Sequence, residues 1–491
     1  MGRIVVIGAG ISGLAAAARL ARRRHEVVVC ESAPAHGGQL GRYRRDGFAF
    51  DTGPTLMTLP AVYRDLYLKS GKDRLEDNLG LRPVSPGSHH VLPDGTRFDL
   101  ANASRAGVVA ALESALGPGA GERWAAFLDR GRAVWEATRR PLLEEPLPAD
   151  PRPLHTDPYP AVRRRLRAPA RTVAGIGARE LRHPGLAALL DEYAVRFGLD
   201  PRTAPASLAV LPYMEQTFGV WYLADGGMRS LADDLLARCR KLGVEFRFGT
   251  RVEETAVESG RAAGVRTAGG ELIEADAVLD SSPPPAPPAA PSGPVPATGR
   301  FTVLLALRGA RPEGTPERTV LHAADPEEER EALFGPEPRP CPRPTLQLLR
   351  PDDASLAPEG HEAASLTVTV PAQGRVDWAG DPATAERYAD ALLARAADAL
   401  GPELGLGERL LWRVVRTPAD LERETGAPGG ALPPPALAGA SGALLAAPNG
   451  DPAVPGRYRI GGWAHPGGGL PRAGMSAALA AELVERQLSG A

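Results

Sequence analysis

The sequence predicts an α/β fold: a discontinuous Rossmann-type nucleotide-binding domain with an α+β domain inserted between its pieces. Three observations predict it. The chain opens with a strand, a glycine-rich turn, a helix and a second strand. It closes with another strand, a glycine-rich loop and a helix. Between these lie β-rich stretches and an amphipathic helix. At 491 residues the chain is too long for one ordinary domain and long enough to bury a large core.

The opening unit is the most explicit. Arg3 to Ile7 reads as a buried parallel strand, Leu14 to Arg24 as a helix rich in Ala and Leu, and His25 to Cys30 as a second strand closed by Glu31. The turn is Gly8-Ala9-Gly10-Ile11-Ser12-Gly13. Gly8 permits the tight turn, Gly10 lets a pyrophosphate approach the backbone, and Gly13 lets helix and strand pack closely. The helix N-terminus offers partial positive charge to phosphates, and Glu31, with Ser32 beside it, is placed for the ribose hydroxyls. This fingerprint alone does not separate NAD from FAD. Gly37-Gly38-Gln39 follows, then Gly47-Phe48-Ala49-Phe50-Asp51-Thr52-Gly53-Pro54-Thr55. A second glycine pair after the ribose acid brings another loop close to the phosphates, the pattern of large FAD-binding proteins.

Further along, Gly243 to Val252 reads as strand, turn and strand, and Ser281 to Pro296 is a proline-rich connector. Thr302 to Leu307 and Ser365 to Val370 read as strands, and Asp381 to Leu400 as an amphipathic helix. Arg457 to Ile460 reads as a strand and Ala473 to Leu488 as the closing helix. The loop between them can approach a flat ring, and the helix dipole would favour negative charge there.

Together these motifs resemble the phytoene desaturase family, which includes the bacterial acyclic-carotenoid desaturases. The resemblance runs nearly end to end. It is carried by GFAFDTGPT at 47–55, by Pro205-Ala206, Gly219-Val220-Trp221-Tyr222 and Gly226-Gly227-Met228, and by Ser355 to Gly360. Its most specific part is Gly461-Gly462-Trp463-Ala464-His465-Pro466-Gly467-Gly468-Gly469-Leu470-Pro471. The resemblance implies an FAD-dependent oxidoreductase that removes hydrogen from a long apolar polyene, phytoene or another acyclic carotenoid, with the hydride passing to flavin N5. It implies an FAD domain at 1–75, 205–285 and 415–491, and a substrate domain at 76–204 and 286–414. It adds Val252, Gly462, Gly469, Leu470 and Pro471 to the cofactor contacts. Gln39 departs from a basic residue usual in the family, and Arg42 or Arg44 is expected to supply that charge. Trp463, Arg472, Glu317-Arg318 and Gln347 depart on the substrate side. No motif marks a catalytic acid or base. His465 is the candidate, with a structural role beside the flavin loop as the favoured reading.

Other functions are constrained by composition. The net charge of −2 gives no pull toward nucleic acid. Cys30, Cys239 and Cys341 share no metal spacing and form no paired disulfide framework, so no metal and a reducing, cytoplasmic setting are expected. Met1-Gly2-Arg3 runs directly into a strand, unlike a secretion leader, and no apolar run reaches the ~18 residues of a spanning helix. The arginines Arg163, Arg164, Arg165, Arg167, Arg171, Arg179 and Arg182 form a basic cluster, read either as a solvated helix face or as a patch for peripheral membrane contact. With no second dinucleotide motif, oxygen or a quinone is the expected electron acceptor. Two alternatives remain open: a flavin oxidoreductase acting on an amine or a natural-product intermediate, and a non-catalytic flavin-binding protein.

Overall fold

The computed structural model describes residues 1–161, 170–284, 289–290, 293–294, 297–401, 405–439 and 444–490. Two sheets organise the chain. The first is five-stranded and all-parallel, in the order 245–248, 26–31, 3–7, 277–280, 457–459. Its strands come from the beginning, middle and end of the sequence, which is what makes this unit discontinuous.

Side chains alternate across this sheet, as the pleat requires. Ile4, Val6, Val27, Val29 and Leu279 face a helical layer. There the helix Ile11–Arg22 packs against Arg229–Lys241 and Leu470–Ser489. Val5, Val28, Cys30 and Val278 face the opposite way, onto Ala262, Val265 and Ile273. Those residues belong to a three-stranded antiparallel meander, Val252–Glu258, Arg261–Thr267 and Leu272–Glu274. The three central strands of the parallel sheet are thus apolar on both faces.

The second sheet is seven-stranded, in the order 410–416, 298–308, 361–371, 346–349, 318–321, 88–91, 97–100. Thr298–Arg308 and His361–Pro371 form its long antiparallel centre. One face, with Phe301, Val303, Leu305, Leu366 and Val368, is covered by the helix Pro382–Leu400. Asp381 caps that helix by accepting from the Ala383 amide. On the other face, Leu304, Ala306 and Ala363 pack on Phe48 and Phe50, so the Gly47–Thr55 motif bridges to the first unit. A further helical group, including Ala120–Arg139, Pro184–Arg196 and Val210–Phe218, closes the space between the sheets.

Several expected boundaries move. The first helix starts at Ile11, because Gly10 is its N-cap. The last helix starts at Leu470, three residues before Ala473, because Pro471 fits the first turn, where its missing N–H costs nothing. Both central strands of the second sheet are 11 residues long, well beyond the runs read from sequence. Arg163, Arg164, Arg165 and Arg167 of the basic cluster lie outside the described residues, as does half of the proline-rich connector.

Candidate functional site: a dinucleotide cradle opening on a buried cavity

The glycines of the N-terminal motif do different jobs. A Cβ on Gly13 would lie 2.0 Å from the Gly8 carbonyl oxygen, so this glycine sets the distance between helix and strand. Gly8 has φ +95° and its amide donates to the Cys30 carbonyl, 2.7 Å. Gly10 is open: a Cβ there would meet only the Gly38 Cα, at 3.9 Å. No side chain caps this helix and no acid occupies its first turn, so its free amides face the cradle. Ala9 is fully buried, and its amide donates to Glu31 Oε2 at 2.7 Å. Glu31 Oε1 accepts from Ala33 N at 2.8 Å and Ser32 Oγ at 3.3 Å. The turn before Val252 closes beside it, through Thr250 N to the Glu31 carbonyl at 2.8 Å. Ser12 turns its hydroxyl away, to the Ala473 carbonyl at 3.0 Å, and so ties the first helix to the last.

The second and third loops continue the cradle. Gly37 N donates to the Ala9 carbonyl at 2.9 Å, and Thr52 N to the Gly41 carbonyl at 3.0 Å. Gly53 is pressed on Gln39, whose carbonyl oxygen would lie 1.9 Å from a Cβ at that position. Arg42 and Arg44, the basic residues nearest Gln39, are held differently. Arg42 donates to the Gly226 carbonyl, and Arg44 is exposed on a short strand. Arg229 stands behind the loop. Its Nη1 donates to the carbonyls of His36 (2.9 Å) and Leu40 (3.2 Å), bracing the Gly37-Gly38 loop from behind. Sequence reasoning missed Arg229; its place directly after Gly226-Gly227-Met228 was the available signal.

The C-terminal loop meets the cradle at the base of a cavity of about 340 Å³. Gln39, Gly53, Pro54, Thr55, Gly469, Leu470 and Pro471 line it. Gly468 is packed on Pro433, whose carbonyl would lie 1.8 Å from an added Cβ, and Gly462 also rests on Pro433. Gly469, with φ +109°, caps the last helix without a side-chain partner and faces the cavity, where a Cβ would make only ordinary contacts. His465 does not reach the cavity. It is fully buried, its Nε2 donates to the Glu145 carbonyl at 3.0 Å, and its own carbonyl accepts from Asn449. Burial pushes its pKa down to about 4, so the ring is neutral. It holds the loop.

These features fit FAD: two uncapped helix N-termini, an acid beside the cradle, and glycines whose missing Cβ atoms leave room for phosphates and a ring. The family described as flavin containing amine oxidoreductase matches residues 11–484. A hydroxyneurosporene desaturase of Rubrivivax gelatinosus is 31% identical over 99% of this chain and 94% of its own length.

The chain belongs to the carotenoid desaturase family.

A zeta-carotene-forming phytoene desaturase of Myxococcus xanthus is 32% identical over 77% of the chain and 74% of its own length. Among solved structures, putrescine oxidase bound to putrescine shares the fold at 14% identity, with a TM-score of 0.62 and 99% of each chain covered. The protein is thus an FAD-dependent oxidoreductase acting on C–C bonds, of a family that desaturates carotenoids. No helix of the described residues is long and apolar enough to cross a membrane. No cluster of metal-ligating side chains occurs among them either.

Beyond the cradle, the cavity of this desaturase has two unlike walls. One is apolar: Val195, Phe197, Leu211, Met214, Val220 and Leu432. The other is the second sheet, where Thr302, Thr367 and Gln347 stand in one cross-strand row, with Ser365 and Thr369 on either side. Thr302 and Thr367 hydroxyls are 3.2 Å apart. At the edge of this wall, Arg318 Nη1 donates to Glu215 at 2.8 Å, and Arg196 Nη2 to the same carboxylate at 2.9 Å. Burial alone would raise the Glu215 pKa, but the two guanidinium groups outweigh it and hold it at about 2. Glu192 completes the network, 3.4 Å from Arg196 and 3.8 Å from Arg318.

Proposed function

We propose that this enzyme desaturates an acyclic carotenoid, of the class to which phytoene belongs, and that it prefers a member carrying an oxygen function near one end. The cavity wall carries this reading: a row of Thr302, Thr367 and Gln347 opposite an apolar wall offers hydrogen bonds that a bare hydrocarbon leaves unused. The names of the relatives support it, since several are hydroxyneurosporene desaturases. When bound, FAD supplies the two-electron chemistry, accepting a hydride at N5. The apolar wall orients the chain and excludes water, and the uncapped N-terminus at Gly469 favours negative charge in the adjoining ring. Oxygen or a quinone then reoxidises the enzyme, and peripheral contact with a membrane delivers the substrate. A cationic amine suits the cavity poorly, because Arg196, Arg300, Arg318, Arg416 and Arg472 line it against the carboxylates Asp51, Glu192 and Glu215.

The test is anaerobic flavin reduction by holoenzyme given liposomes loaded with phytoene, hydroxyneurosporene or no polyene, followed by chromatography. The expected result is faster bleaching with hydroxyneurosporene and a product two hydrogens lighter. Bleaching by putrescine but by neither polyene would refute the reading.

A further inference from the structure

The charges around the cavity do not balance, and the imbalance is local. Arg196 and Arg318 are matched by Glu192 and Glu215. Arg416 pairs with Glu424 at 2.6 Å. Asp51 is spent on the backbone, accepting from the amides of Met228 and Arg229. Two guanidinium groups remain. Arg300 donates only to neutral oxygens, the Thr369 hydroxyl and the Arg196 carbonyl. Arg472 is 7% exposed and has no hydrogen-bond or ion-pair partner among the described residues. Both line the cavity.

They also flank the same residue. Arg300 is bonded to the carbonyl just before Phe197, and the Phe197 ring edge meets Gly469, where an added Cβ would lie 3.9 Å from Phe197 Cε1 and 3.6 Å from Arg472 Nη1. A buried cation without a counter-ion is costly, and burial lowers the pKa of each arginine to about 10, which still leaves both charged at neutral pH. An anionic group placed between them would complete the pair through charge-assisted hydrogen bonds.

We propose that Arg300 and Arg472 form an anion-binding end of the substrate cavity, and that the substrate is an acyclic polyene ending in a carboxylate. This rests on the proposed desaturase reading and makes its oxygen function specific. The chain lies along the apolar wall, the carboxylate sits beside Phe197, and Thr369 holds Arg300 in place.

The probes are crocetin, an acyclic polyene dicarboxylate, and crocetin dimethyl ester, titrated into FAD-loaded enzyme while protein fluorescence is followed. Wild type should bind the acid at least about tenfold more tightly than the ester, as expected of a charge-assisted pair. Arg300→Gln and Arg472→Gln should each shrink that ratio, and the double variant should bring it to about one while ester affinity stays within about twofold. Ester binding and FAD content report whether each variant is folded. If the variants fail to fold, the wild-type ratio decides alone. Equal binding of acid and ester by wild type overturns the proposal, and so does a preference that survives in a folded double variant. Flavin reduction separates the two readings. Bleaching by neutral carotenoids without acid preference removes only the anion site. Acid preference with no polyene able to bleach the flavin removes only the desaturase reading.

Discussion

Gly10 and Gly13 sit three residues apart in one motif, yet the structure gives them opposite sensitivities. For Gly13→Ala, the new Cβ would lie 2.0 Å from the Gly8 oxygen, 3.1 Å from the Gly8 carbon and 3.4 Å from Val6 Cγ1. Backbone cannot rotate aside, so the helix Ile11–Arg22 must retreat by about 1 Å or more to restore van der Waals distance. Overpacking of this kind costs about 1–3 kcal/mol, against which alanine's helical preference returns about 1 kcal/mol at most. The net expectation is a loss of about 1–2 kcal/mol in the apoprotein. For Gly10→Ala, φ is −71° and the nearest atom is 3.9 Å away, so apoprotein stability should stay within about 0.5 kcal/mol. If the pyrophosphate approaches the backbone at Gly10, however, the new Cβ enters that space. The FAD dissociation constant should rise roughly thirtyfold, about 2 kcal/mol. Urea unfolding of both apoproteins, with FAD titration by fluorescence quenching, measures all four quantities. A Gly13→Ala protein as stable as wild type, or a Gly10→Ala protein binding FAD normally, would refute the division of labour between these glycines.

Glu31→Ala releases the Ala9 and Ala33 amides together and should weaken FAD binding by about 1–3 kcal/mol, read by titration of the apoprotein. Glu215→Gln leaves Arg196 and Arg318 short of a charge and should cost about 3–5 kcal/mol in unfolding free energy. Because the Glu215 pKa is held at about 2 against an ordinary 4.5, its contribution is fully present above pH 4.5 and fades as pH falls toward 2, so the variant should show a flatter acid limb. His465 and His322 are kept neutral by burial, each lowered from 6.5 to about 4, so they stabilise the fold above pH 6.5 and weaken it as pH falls toward 4. The melting temperature of His465→Gln should therefore be lower at neutral pH but fall less steeply over that range, with FAD retained and flavin reduction slowed less than about tenfold.

The cradle was legible in sequence because its determinants are local. Gly8 to Gly13 and Glu31 act within one strand–helix–strand unit and Gly37-Gly38 in the loop directly after it, where spacing fixes geometry. The cavity was not legible. Glu192, Glu215 and Arg318 form one network, but their meeting depends on how two helices dock on a strand from a distant segment. Thr302 and Thr367 read as ordinary strand residues until register sets them side by side. Arg318, Gln347 and Arg472 did stand out against the family pattern, and all three turn out to line the cavity, though nothing in the pattern shows what each of them meets there. His465 is a histidine inside a specific motif that invites a chemical role, yet its buried hydrogen bonds support a loop, in keeping with the structural role favoured from sequence.

The alternation along the second sheet separates what this enzyme can change from what it must keep. At Thr302, Thr367, Thr369 and Gln347 the side chains meet the cavity, while their neighbours Phe301, Val303, Leu366 and Leu348 anchor the sheet on the helix Pro382–Leu400. A lineage, or a directed-evolution library, restricted to every second position can therefore explore new polyenes with the foundation untouched. Libraries that randomise whole strands would spend most of their members on proteins that never fold.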